Sequence, residues 1–189
     1  MLWKFGAVVV AVGLVVVAAA AATQTENYVD SKAGFHVTIP ERWTRTKNNN
    51  DDELVVTSPD TETTFGFCTI HWLPLPGTEK VSQAEVDRRL AGRFTASYWR
   101  TYFESSKPKN LVIESSGDEV QNGRTTHYAV VTDTEFRRAH RFKTVMHFLP
   151  GRFYRLTCNA YLESYAREQA AFETFFDSFV PIDDLIAKD

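Results

Sequence analysis

Two turn dipeptides, Asn122-Gly123 and Pro150-Gly151, decide the class of fold open to this chain. Asn-Gly supplies the positive φ angles of a tight two-residue turn. It separates two strand-like stretches, Leu111–Val120 and Arg124–Thr134. Pro150-Gly151 turns a third stretch, His140–Leu149, into a fourth, Arg152–Ala160. Strands joined this closely run antiparallel, because a parallel pair needs a crossover of a dozen residues or more. A repeating βαβ winding is therefore excluded.

Three further strands come earlier. Phe35–Ile39 alternates with period two and stops at Pro40, while Leu54–Thr57 and Thr63–Trp72 are rich in β-branched and aromatic residues. After Leu73-Pro74-Leu75-Pro76-Gly77 the period changes. Ser82-Gln83-Ala84-Glu85 is a capping box, and Val86, Leu90, Phe94 and Tyr98 recur at i+4. One helix is expected from there to Glu104, stopped by Lys107-Pro108. A second runs from Ser164 to Phe179, with Tyr165, Phe172, Phe176 and Phe179 on one face. The expected class is α+β: an antiparallel sheet of about seven strands with helices packed on it.

The N-terminus is a different kind of segment. Lys4 is followed by an apolar run from Phe5 to Ala22, and Ala20-Ala21-Ala22 offers small residues before Thr23. That layout reads as a secretory signal peptide over residues 1–22. The run is also near the lower length limit for a bilayer span, so an uncleaved anchor is the rival reading. Both put the folded part outside the cytoplasm, periplasmic or secreted. The organisation expected is a leader (1–22), a single domain (23–182) and an acidic tail (183–189).

The full chain carries a net charge of −3, which argues against a nucleic-acid partner. The chain's fourteen Phe and seven Tyr, with three Trp beyond the leader, supply the bulk for a core that needs no metal or disulfide staple to fold, and no cofactor is expected. Cys68 and Cys158 are the only cysteines. Outside the cytoplasm they are either a disulfide or two buried thiols. Their neighbours show no Cys-x-x-Cys redox motif.

Candidate chemistry is sparse. His127, His140 and His147 lie on one expected hairpin, and a tip near Arg137 would set His127 opposite His147 as the start of a zinc or copper site. A register shift of one residue would instead part them. Arg137, Arg138, His140, Arg141 and Lys143 concentrate positive charge in an acidic protein. They suit an acidic protein partner or an anionic lipid headgroup, against the plainer reading of a solvated edge that deters strand pairing. Asp51-Asp52-Glu53 lacks the spacing of a calcium loop. No Gly-x-Ser-x-Gly elbow occurs, so no catalytic residue is assigned.

Tyr28, followed by Gly34-Phe35-His36-Val37-Thr38-Ile39-Pro40-Glu41-Arg42-Trp43, resembles the opening of PsbP-like domains. The order of elements matches too, down to Tyr154-Arg155-Leu156-Thr157 feeding an aromatic helix that ends in Ser178-Phe179-Val180. The likeness spans Tyr28 to Ile182. It implies an α/β/α sandwich serving as a binding or assembly module rather than an enzyme, and brings no catalytic residues. The expected function is thus an exported, non-catalytic protein of the cell envelope that binds another envelope protein. The alternative is a small-molecule or metal-binding module using an aromatic pocket or the His127/His147 pair. Membrane contact is expected only if the leader stays attached.

Overall fold

A computed structural model describes residues 25–46, 53–104, 110–134 and 137–182. The leader, the Asn48–Asp52 loop, the Lys107-Pro108 stop and the tail lie outside the described residues. The first half contains β1 (Glu26–Asp30), β2 (Phe35–Ile39), β3 (Thr44–Thr46), β4 (Glu53–Thr57), α1 (Thr61–Thr64) and β5 (Phe67–Leu75). Two helices follow, α2 (Gln83–Leu90) and α3 (Ala96–Glu104). The rest is β6 (Leu111–Gln121), β7 (Arg124–Asp133), β8 (His140–Leu149), β9 (Gly151–Tyr161), α4 (Tyr165–Ser178) and β10 (Val180–Pro181).

The strands form two antiparallel sheets. The larger is ordered β3-β4-β5-β9-β8-β7-β6 and the smaller β1-β2-β10. Both faces of the larger sheet are covered, since successive side chains point to opposite sides. On β8, Val145 and Leu149 join the core beneath α4 and the small sheet. Phe142, Met146 and Phe148 join a second core beneath α2 and α3. The α4 face is filled by Phe172, Phe175, Phe176 and Phe179 meeting Phe35, Tyr154 and Leu156. The α3 face is anchored by Trp99, which has no exposed surface.

The turns form where their residues dictate. Asn122 and Gly123 take φ of 50° and 76°, and Gln121 pairs with Arg124 across them. The Asn122 side chain also donates to the carbonyls of Phe179 (2.9 Å) and Asp177 (3.2 Å), tying this turn to the end of α4. Asn122→Ala loses those bonds and a residue that tolerates left-handed backbone. The change is expected to cost about 1–2 kcal/mol in a urea titration.

Several local expectations are corrected. Helix 82–104 is broken, because Gly92 takes φ of 68° and ends α2 before α3 begins. Phe94 sits in that link yet still packs against Trp99, so the stripe stays buried. The strand expected from Thr63 starts only at Phe67. The hydroxyls of Thr63 and Thr64 donate back to the Asp60 carbonyl and hold a helical turn. The same strand runs through Pro74 to Leu75, and among the described residues β4 pairs with it only as far as His71. Finally, Phe35–Ile39 leaves the larger sheet and pairs with β1 and β10. Glu26 and Asn27, for which no strand is expected, belong to β1.

The sheets are joined by polar contacts at their corner. Tyr154 Oη donates to the carbonyls of Ala33 (2.7 Å) and Gly34 (3.1 Å) in the β1–β2 turn. Cys68 and Cys158 are directly opposed on β5 and β9, and their sulfurs are bonded at 2.03 Å.

Candidate functional site

The basic run after Phe136 does not form one patch. Alternation along β8 sends its members to opposite faces of the sheet. Arg141 and Lys143 turn to the α4 face, where Glu114 and Glu119 of β6 meet them at 2.6 and 3.0 Å. Arg141 also lies 4.8 Å over the Tyr165 ring. These two cations are engaged within the fold.

Arg138 and His140 turn to the α3 face, and Arg137 is exposed at the corner. The Arg138 guanidinium lies 3.8 Å over the Tyr161 ring and pairs with Glu163. The Glu163 carboxyl is held below the usual range by its own backbone N–H and by the Arg138 fork. His140 packs edge-on against Phe65 at 4.9 Å, and burial lowers its pKa. Phe65 stacks on Tyr161 at 5.3 Å while 36% of its surface stays exposed. Leu162, next to Tyr161 in the sequence, is 43% exposed.

Phe65 has an unusual backbone. It caps α1 with φ of 54°, a region that costs a bulky L-residue about 1–2 kcal/mol. The turn ahead of it, closed by the threonine hydroxyls, places it there. Sequence reading missed Phe65, Tyr161 and Leu162 because two separate segments, at Phe65 and at Tyr161-Leu162, form the corner. The only local hint is a glycine between Phe65 and Phe67.

The metal pair is corrected by register. His127 stands opposite Met146, not His147, so the two imidazoles point to different faces. His127 Nδ1 is 2.7 Å from Asp118 Oδ1, and its ring stacks on Phe94 at 3.9 Å. His147 lies on the other face, 4.7 Å from Phe179. Among the described residues no group of three or more ligand side chains converges.

His147 instead makes stability depend on pH. Burial, with help from Arg124 and His127, pushes its pKa down to about 3. The unfolded chain takes that proton near 6.5, so below that pH the unfolded state binds one proton more. Stability is full above about pH 6.5 and falls as pH drops, by up to about 1.4 kcal/mol per pH unit. In urea titrations between about pH 6.5 and 5, His147→Leu is expected to flatten that slope. An unchanged slope would place the titration elsewhere.

A groove opens beside α3, where among the described residues α2 and α3 leave β4, β5 and β9 uncovered. Its volume is about 530 Å³. Tyr102 and Phe103 of α3 form one wall, and Phe67 and Phe142 close one end. Thr69, Thr157 and Thr144 stand side by side across β5, β9 and β8 as its floor. Glu53 and Arg155 also line it, and Arg155 Nη1 donates to Tyr102 Oη at 2.7 Å.

Comparison with known proteins places this geometry. The family profile described as PsbP matches residues 23–180. This chain belongs to the PsbP family. No curated protein matches it in sequence. Among solved structures it is similar to cyanobacterial PsbP (CyanoP) from Synechocystis sp. PCC 6803, at 10% identity and a TM-score of 0.57. That match covers 86% of this chain and 95% of CyanoP. It is also similar to a point mutant of the protein Mog1, at 11% identity and a TM-score of 0.55, over 87% of this chain and all of Mog1. LpqN of Mycobacterium tuberculosis, described as involved in cell envelope biogenesis, matches at 12% identity and a TM-score of 0.52. There the cover is 83% of this chain and 90% of LpqN. At these identities the likeness is one of fold. No helix among the described residues is long and apolar enough to cross a membrane.

Proposed function

We propose that this PsbP-family chain is an exported, non-catalytic protein of the cell envelope, periplasmic or secreted, that binds another protein there. The leader-like residues 1–22 support export, and the envelope role described for LpqN agrees with it. The observation that carries the binding role is the corner formed by Phe65, Tyr161, Leu162, Arg137 and Arg138. Aromatic and arginine side chains are the groups most enriched in the energetic centres of protein interfaces. Phe65 stays partly exposed in a disfavoured backbone conformation, and such strain gathers at binding sites. Arg141 and Lys143 drop out of this surface because they face the other side.

The test is affinity capture from envelope extracts with the unchanged chain, with Arg137→Glu/Arg138→Glu, and with Phe65→Ala. One partner recovered by the unchanged chain is expected to fall about tenfold with either variant, while melting temperatures stay within a few degrees. Equal recovery by all three would remove the corner from the proposal. Intact, uncleaved protein dissolved in the cytoplasm on fractionation would remove the export reading.

A further inference from the structure

We infer that the groove beside α3 is a binding site for a small aromatic carboxylate. The site adjoins the protein-binding corner through the Phe65–Phe67 ring contact at 5.3 Å, but it is lined by other residues, so either reading can fail alone. Its volume of about 530 Å³ suits a single small molecule, since such pockets run from about 300 to 1,000 Å³. The chemistry of the lining then narrows the ligand.

The sides are rings. Phe103 and Phe142 meet edge-on at 5.4 Å, and Tyr102 lies edge-on to Phe103 at 5.1 Å. Ring edges of this kind favour another ring laid against them over a flexible alkyl chain. The floor is a row of hydroxyls, with Thr144 and Thr157 oxygens 3.0 Å apart. Hydroxyls both donate and accept, so they accommodate polar substituents on the ring without selecting one charge.

The charge is set by Arg155. Its guanidinium has five N–H donors, and the Tyr102 phenol takes one of them at 2.7 Å. A fork steadied in this way is suited to a carboxylate, which it can bind through two parallel hydrogen bonds. Glu53, His71 and Arg155 are successive cross-strand partners, so the Glu53 backbone stands two strand spacings, roughly 10 Å, from that of the arginine. The anionic end of the ligand belongs at Arg155 and its ring between α3 and Phe142.

The experiment uses 2-naphthoate and the uncharged 2-naphthamide as probes. Calorimetry gives the affinities, and backbone amide NMR locates the site. The acid is expected to bind, to move the amide signals of Thr69, Thr157 and Tyr102, and to bind about tenfold or more tightly than the amide. Arg155→Met is expected to weaken the acid by a similar factor and leave the amide unchanged. Equal binding of acid and amide, signals moving elsewhere, or no response in the millimolar range would overturn the inference. So would maltose moving the groove signals where naphthoate does not. If Arg155→Met fails to fold, the comparison of acid with amide on the unchanged chain still decides.

Discussion

Replacing Cys68 and Cys158 together with alanine is expected to lower the free energy of unfolding by about 4–5 kcal/mol. The bridge spans 90 residues of sequence, and closing so long a loop removes much of the unfolded chain's freedom. Both cysteines are wholly buried on β5 and β9, the strands at the centre of the larger sheet. For a chain of this length the loss corresponds to a melting temperature lower by roughly 10 °C. The unchanged protein, denatured without reductant, is expected to release no thiol. Two titratable thiols, or a double variant as stable as the original, would show that the bridge does not form.

The second large effect is expected at Trp99. Trp99→Ala should cost about 3–5 kcal/mol, because it empties the fully buried anchor of α3. The indole packs against Phe94, Tyr98, Tyr102 and Phe103 at ring separations of 5.5 to 5.9 Å. Removing it loosens the helix that carries one wall of the groove. Trp99→Phe keeps most of the ring, and it also removes a buried indole N–H that finds no hydrogen-bond partner among the described residues. Its cost should stay under about 1.5 kcal/mol. Chemical denaturation of the three proteins separates the cases, and equal losses would mean that bulk at this position is not what matters.

How much was legible follows from where each signal is stored. The β6–β7 and β8–β9 hairpins were readable because their turns need particular residues, Asn122-Gly123 and Pro150-Gly151. α4 was readable from its aromatic stripe, although Phe175 was overlooked. The small sheet was not readable: β2 pairs with β10 from the far end of the chain, and Val180 opposite His36 leaves no local trace. The β7–β8 connection has no turn dipeptide, so its register was open. One residue of difference separated His127 from His147. The same alternation divided the basic run, which looked continuous only because sequence does not display faces. Arg155 and Thr157 share β9, but Thr69 and Thr144 of the groove sit on β5 and β8, so only the sheet order makes them neighbours.

The chain order of the central strands has a consequence for biogenesis. β9 lies between β5 and β8, so the middle of the sheet is missing until nearly all residues have been made. Pairings this distant in sequence also form slowly. A nascent polypeptide of this design cannot complete its larger sheet until β9 has emerged. Its covalent lock likewise waits for Cys158, near the end of synthesis.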